Sequence, residues 1–159
     1  MPRRLTVLRH AKSDWPDGVA DHDRPLGPRG RREAPIAGQW LREHVGPIDL
    51  VVCSTAERAR QTLVLVAPEL DPVPVCRFDE RLYDATAGAL ITVAQGLPGD
   101  CGSALFIGHN PGLESLVGHL TGGYCVLKTS SLAVMSGDGP WSAVAPGWAR
   151  LEAEATARP

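Results

Sequence analysis

The chain has 159 residues, 43% hydrophobic and 21% charged, with a formal net charge of −2. That length suits one compact domain spanning the whole chain. The near-neutral balance excludes a global attraction to nucleic acid or to an anionic membrane, so any anion site must be built locally. Cys53, Cys76, Cys101 and Cys125 are widely separated and form no CxxC pair. That spacing argues against metal clusters and thioredoxin-type redox chemistry. Cys53 and Cys76 stand in apolar runs and are expected to behave as small core residues. Met1-Pro2-Arg3-Arg4 leads into a short apolar run without a signal-peptide body, and no apolar stretch has membrane-spanning length. The expected setting is soluble and cytoplasmic.

In chain order, Leu5 to Leu8 reads as a first strand. The Pro- and Gly-rich stretch Trp15–Gly30 reads as a loop. Arg31 to His44 carries Ile36, Trp40 and Leu41 near helical spacing and is stopped by Gly46-Pro47. Leu50 to Cys53 is a second strand, and Ala56 to Leu70 a helix ended near Pro72. Val73 to Phe78 and Ala104 to Ile107 are a third and a fourth strand. Pro111 to Leu120 is a helix closed by Gly122-Gly123. Ser131 to Met135 and the region from Trp148 onward supply two more strands, with Gly137–Gly147 a loop between them and Ala153 to Pro159 free to fray. Continuous apolar strands alternating with helical segments predict an α/β domain of three layers, αβα, around a mostly parallel sheet.

Open α/β sheets bind ligands outside the carboxyl ends of their strands. After the first strand comes Arg9-His10, after the second Ser54-Thr55-Ala56-Glu57-Arg58. After the third comes Asp79-Glu80-Arg81, and after the fourth Gly108-His109-Asn110-Pro111. Arg9 and Arg58, two histidines and carboxylates thus meet at one edge. Ser54 to Glu57 has the pattern of a capping box, with Ser54 as the cap, and Asn110-Pro111 that of a cap followed by a first helical proline. Such helix starts favour an anion nearby. Taken singly, each residue has an ordinary role: a hydrogen-bonded histidine, a solvated arginine, a helix cap. Their convergence is what points to chemistry on an anion. His22, His44 and His119 lack such company, and Asp21-His22-Asp23 is a polar loop without the further ligands a metal would need.

These residues resemble the histidine phosphatase superfamily, the phosphoglycerate mutase-like proteins. Leu8-Arg9-His10-Ala11-Lys12-Ser13 is similar to its Arg-His signature. Ser54-Thr55-Ala56-Glu57-Arg58-Ala59-Arg60-Gln61-Thr62 is similar to its Ser-x-x-x-Arg-Ala-x-Gln-Thr element, and Gly108-His109-Asn110-Pro111 to its third. Asp79-Glu80-Arg81-Leu82-Tyr83 resembles the segment bearing the acidic proton donor. Arg9 to Trp15, Asp23-Arg24-Pro25-Leu26 and Lys128-Thr129-Ser130-Ser131 resemble the SixA-type phosphohistidine phosphatase branch. The likeness runs from about residue 5 to about residue 135, and nothing usable follows Gly137. Ala11 stands where many members carry Gly, and the long insertion of the larger mutases is missing.

The resemblance implies a cofactor-free, metal-independent phosphatase in which His10 is the nucleophile and becomes a phosphohistidine. Arg9, Arg58 and His109 hold the phosphate, and Glu80 is the proton donor, with Asp79 its one-residue alternative. Arg24 is a further candidate for phosphate or substrate. The implied partner is a phosphorylated protein or a small phosphorylated metabolite. A phosphosugar or phosphoglycerate mutase, or a small-metabolite phosphatase, would share the same core residues. A phosphate-binding module without catalysis would not need His10.

Overall fold

The structure is a computed structural model that describes residues 2–159. Six strands form one sheet: β1 (Arg3–Arg9), β2 (Leu50–Cys53), β3 (Val75–Phe78), β4 (Ser103–Gly108), β5 (Ser131–Gly137) and β6 (Arg150–Thr156). Their order is β3-β2-β4-β1-β5-β6. The first four are mutually parallel, whereas β5 and β6 run antiparallel at one edge. Four helices accompany them: α1 (Pro28–His44), α2 (Glu57–Val66), α3 (Ala87–Gln95) and α4 (Gly112–Thr121).

Side-chain alternation splits the core into two halves. In β4, Ala104 and Phe106 pack with Leu90, Val93 and Leu116 of α3 and α4. Leu105 and Ile107 face the other way, onto Ala37, Leu41, Ala59 and Leu63 of α1 and α2. A parallel strand buried on both faces must be apolar throughout, which is why β4 shows no hydropathic period of its own. The predicted αβα layering is thus present, with an antiparallel edge added.

Two local expectations are corrected, and one helix is added. Cys76 is exposed, because β3 is the outer strand and all four of its residues face solvent. Ala153 to Thr156 do not fray but complete β6, where Ala153 and Ala155 pack against the α1–α2 core. α3 carried no sequence assignment: it is a nine-residue segment started by a Thr86 side-chain cap, whose Oγ1 accepts from Ala89 N at 3.1 Å.

The loop after β1 is pinned from both sides. Lys12 O accepts from Gly27 N at 2.9 Å, and an isolated bridge joins Ser13 to Leu26. Gly30, in the first turn of α1, lies against the same carbonyl: a Cβ there would stand 2.1 Å from Lys12 O. Neither backbone can yield without moving the segment that follows His10. Gly30→Ala should therefore lower stability by about 1–3 kcal/mol, the usual cost of overpacking, and impair the site. Gly99→Ala, with nothing within 4 Å of its Cβ, should leave both unchanged. Urea midpoints of the two variants check this.

Candidate active site

Strand register assembles the site. β1 pairs with β4 so that Arg9 lies opposite Gly108, which sets the following residues, His10 and His109, side by side. Their ring centroids are 5.1 Å apart. β2 pairs with β4 on its other side, Cys53 opposite Ile107, and this brings Ser54 to His109. His109 Nε2 and Ser54 Oγ are 2.7 Å apart. The residues that sequence reading placed at separate strand ends are therefore brought together by parallel pairing.

His10 is 5% exposed. Its Nδ1 lies 2.7 Å from Ala11 O. A carbonyl only accepts, so Nδ1 carries the hydrogen, and the neutral ring keeps its lone pair on Nε2. Burial, then the positive surroundings of His109, Arg58 and Arg9, push its pKa down from 6.5 to about 3, against the pull of the Ala11 carbonyl. The ring is neutral at physiological pH. His109 is likewise lowered, to about 4, chiefly by burial and next by Arg58.

The arginines are aimed by backbone and by one carboxylate. Arg9 Nη1 donates to Leu127 O at 3.0 Å, a carbonyl that Asn110 Nδ2 also reaches at 2.7 Å. Arg58 Nη1 donates to Asp21 O at 2.7 Å and its Nη2 to Asp21 Oδ2 at 3.2 Å. Tyr83 OH donates to the same Oδ2 at 2.5 Å. Tyr83 foremost, helped by Arg24 and Arg58, holds the Asp21 carboxyl well below the usual range. Arg9 Nε, Arg58 Nε and His109 Nδ1 are buried and have no hydrogen-bond partner among the described residues.

Two adjoining hollows open on these groups. One, of about 210 Å³, is lined by Arg9, His10, Arg24, Arg58 and His109 with Trp15 at its edge. The other, of about 280 Å³, is lined by Asp21, Arg58, Tyr83, Asp84, His109 and Asn110. Two non-glycine residues with positive φ among the described residues, Asp84 (52°) and Ser130 (64°), flank the site. Ser130 adopts that turn so that its N–H can donate to both Arg9 O and His10 O, at 3.2 and 3.1 Å. Strained backbone of this kind gathers where surroundings over-determine it.

Not every sequence candidate lands in the hollows. Arg24 does, but its donors are largely committed: Nε to Asp21, Nη1 to Ser13 Oγ and Asp14 O. Its guanidinium also stacks 3.4 Å above the ring centroid of Trp15, which is 74% exposed. Glu80 opens the 3₁₀ turn Glu80–Leu82; it is exposed, outside both linings, and its carboxylate has no partner among the described residues. Asp79 is gripped by Arg81, whose Nη2 donates to it at 2.7 Å, and its pKa is lowered by that contact.

The expected capping box is not made. α2 starts at Glu57 with Ala56 at its cap, and Glu57 instead accepts from Gln61 Nε2. Ser54 is spent on Ala56 N and His109. α4 starts at Gly112, one residue past Pro111, though Asn110 Oδ1 does accept from Glu114 N at 3.3 Å.

Sequence reading missed Asp21, His22 and Leu127, and left Tyr83 and Asp84 without a role. His22 Nε2 lies 2.9 Å from Thr55 Oγ1, and its ring packs edge-on against Tyr83. The available signal was charge: two arginines converging on one edge need a carboxylate, and Asp21-His22-Asp23 was the acidic loop beside them. Leu127 acts through its carbonyl and has no side-chain signal at all.

The profile of the histidine phosphatase superfamily (branch 1) matches residues 5–105. A protein of Mycobacterium tuberculosis is 41% identical over 155 residues, 91% of this chain and 96% of that one. A structure from Nakamurella multipartitia described as a putative SixA phosphohistidine phosphatase superposes with a TM-score of 0.89 at 31% identity, covering 99% of this chain and 97% of the other. The protein histidine phosphatase SixA in complex with tungstate shares the fold, with a TM-score of 0.84 at 24% identity over 96% of each chain. The chain belongs to the histidine phosphatase superfamily, in its SixA-type branch. Its class is thereby phosphatase- or mutase-type. No helix among the described residues is long and apolar enough to cross a membrane.

Burying two neutral histidines has a thermodynamic signature. Their folded pKa values, about 3 and about 4, lie below the ordinary 6.5, so below pH 6.5 the unfolded chain takes up protons that the folded chain refuses. Stability must fall as pH drops from 6.5 toward 4. Between pH 7.5 and 5 each histidine should cost about 2 kcal/mol. Urea unfolding across that range checks it, and His109→Gln should show a visibly flatter dependence than wild type.

Proposed function

We propose that this protein is a metal-independent phosphatase, acting on phosphohistidine or phosphomonoesters through a covalent phosphohistidine at His10. One observation carries the reading: three buried nitrogens without a partner among the described residues, Arg9 Nε, Arg58 Nε and His109 Nδ1, belong to residues lining the hollow that holds His10. Buried polar groups are nearly always satisfied, and a phosphate oxygen suits all three. Two guanidinium charges balance a phosphate dianion without a metal.

His10 Nε2 attacks phosphorus with its lone pair while the bond to the leaving group breaks. Arg9, Arg58 and His109 stabilise the charge on the non-bridging oxygens. Glu80 delivers a proton to the departing atom. It is the carboxyl of the β3 end not bound to an arginine, on the turn that leads into Tyr83. A water then attacks the phosphohistidine, giving its proton to Glu80; the N–P bond breaks, phosphate leaves and His10 is restored. The exposed Trp15 beside the hollow suits a bulky leaving group, such as a phosphorylated protein surface, in keeping with the SixA-type neighbours.

The test is chemical. Quenching with labelled aryl phosphate in alkali should trap phosphate on His10, since phosphoramidates survive base and not acid. Phosphate on serine or aspartate would overturn the mechanism. Chelators should leave turnover unchanged and vanadate should inhibit it.

Arg58→Lys keeps the charge and loses the fork that Asp21 orients, so kcat/KM should fall at least tenfold. Near-wild-type activity would return Arg58 to an ordinary structural role.

Leaving-group chemistry tests the acid. A general acid contributes about 10²–10⁴-fold, most for basic leaving groups. Glu80→Gln should therefore slow phosphoenzyme formation from an alkyl ester far more than from a nitrophenyl ester. Asp84→Asn and Asp79→Asn should not discriminate. Selective loss in Asp84→Asn instead would move the role to the carboxylate that lines the second hollow.

A further inference from the structure

Hydrogen counting at Ser54 assigns a further positioning residue. Ser54 is fully buried, at 0% exposure. Its Oγ accepts from Ala56 N at 3.2 Å and lies 2.7 Å from His109 Nε2. A serine hydroxyl has one hydrogen and two lone pairs, and a neutral imidazole one N–H and one lone pair. Two arrangements are available. If His109 donated from Nε2, both lone pairs of Ser54 would be filled and its own hydrogen would have no acceptor. His109 Nδ1 would then be a bare acceptor among Arg58 and Arg9, with no donor bonded to it among the described residues. If Ser54 donates to Nε2, every valence of the hydroxyl but one lone pair is used, and His109 carries its hydrogen on Nδ1. The one ring nitrogen without a partner among the described residues is then a donor, on a residue that lines the same hollow as His10.

We infer that Ser54 selects the Nδ1–H tautomer of His109 and so presents a fixed N–H to the phosphate oxygens. This rests on the phosphate-binding role given to His109 above. The same serine that reads in sequence as a helix cap thereby sets the direction of a donor at the end of the neighbouring strand. The neutrality of His109 at pH 7 makes the distinction meaningful, since an imidazolium would carry hydrogens on both nitrogens. The arrangement mirrors His10, where Ala11 O places the hydrogen on Nδ1 and leaves Nε2 as the nucleophile. One ring is thus set to give a hydrogen bond and its neighbour to give electrons.

The experiment uses the ligand-free full chain with [¹⁵N]histidine labelling at pH 7, the His109 signals being assigned by their loss in His109→Gln. Two-bond ¹H–¹⁵N spectra distinguish a protonated from a bare ring nitrogen. Wild type should show protonated Nδ1 and bare Nε2. In Ser54→Ala the Nε2–H form should appear, with kcat for an aryl phosphate down roughly tenfold, the size expected of one lost oriented hydrogen bond. Protonated Nε2 in wild type overturns the assignment, and that spectrum decides it even where Ser54→Ala fails to fold. An unchanged Nδ1–H form in Ser54→Ala overturns the role of Ser54. An inactive wild type with the expected tautomer, lost in Ser54→Ala, supports the assignment and counts against the phosphatase reading instead.

Discussion

The constraint on which the structure depends is the gathering of two arginines, Arg58 buried and Arg9 half-buried, and two buried imidazoles around one point without letting the imidazoles ionise. Like charges at close range are costly in a poorly solvated site, and the protein meets that cost in two ways. The histidines are kept neutral, both far below their ordinary pKa. The arginines are held by groups that cannot be protonated away: the carbonyls of Leu127 and Asp21, and an Asp21 carboxylate locked in its charged form. A slightly acidic protein can in this way carry a pocket of positive potential.

Much of the fold near this point consists of ties that hold the four groups in register. Thr62 Oγ1 donates to Arg58 O at 2.7 Å and accepts from Ala11 N at 3.0 Å, which couples Arg58 on α2 to the segment bearing His10. Gln61 Oε1 accepts from Leu26 N at 2.8 Å and closes the same loop from its far end. Glu114 Oε2 accepts from Leu127 N at 2.6 Å, so α4 steadies the backbone that aims Arg9. At the carboxyl end, Arg158 Nη1 lies 3.0 Å from the buried Glu33 and donates to Thr129 O at 3.3 Å. Thr129 lines the hollow, so even the last residues bear on the pocket wall. The Gln-Thr of the second sequence element is thus structural wiring, and its presence beside Arg58 has a mechanical reason.

Two parts of the molecule depart from what their residue types suggest. β3 is largely apolar in sequence yet lies at the sheet edge with Val75 and Phe78 exposed. Trp15 stays in solvent because Arg24, itself buried, offers a flat cationic face on which the indole rests. In both cases the neighbouring chain, and not hydrophobicity, sets the exposure.

The sequence by itself determined the strands, three of the four helices and the positions of Arg9, His10, Arg58 and His109. Period and composition reveal buried strands, and ligands gather at strand ends for topological reasons that hold across α/β sheets. Tertiary structure alone decided the rest. That Cys76 is outside, that β5 and β6 turn antiparallel and that Ser54 faces His109 instead of capping α2 all depend on which strand lies beside which. Asp21 and Leu127 serve the site from loops, one through its placement against Arg58 and the other through a carbonyl that every residue possesses. Such roles leave no mark in local composition, because a hydrogen bond across 37 or 118 residues is fixed by where the chain returns and not by what precedes it.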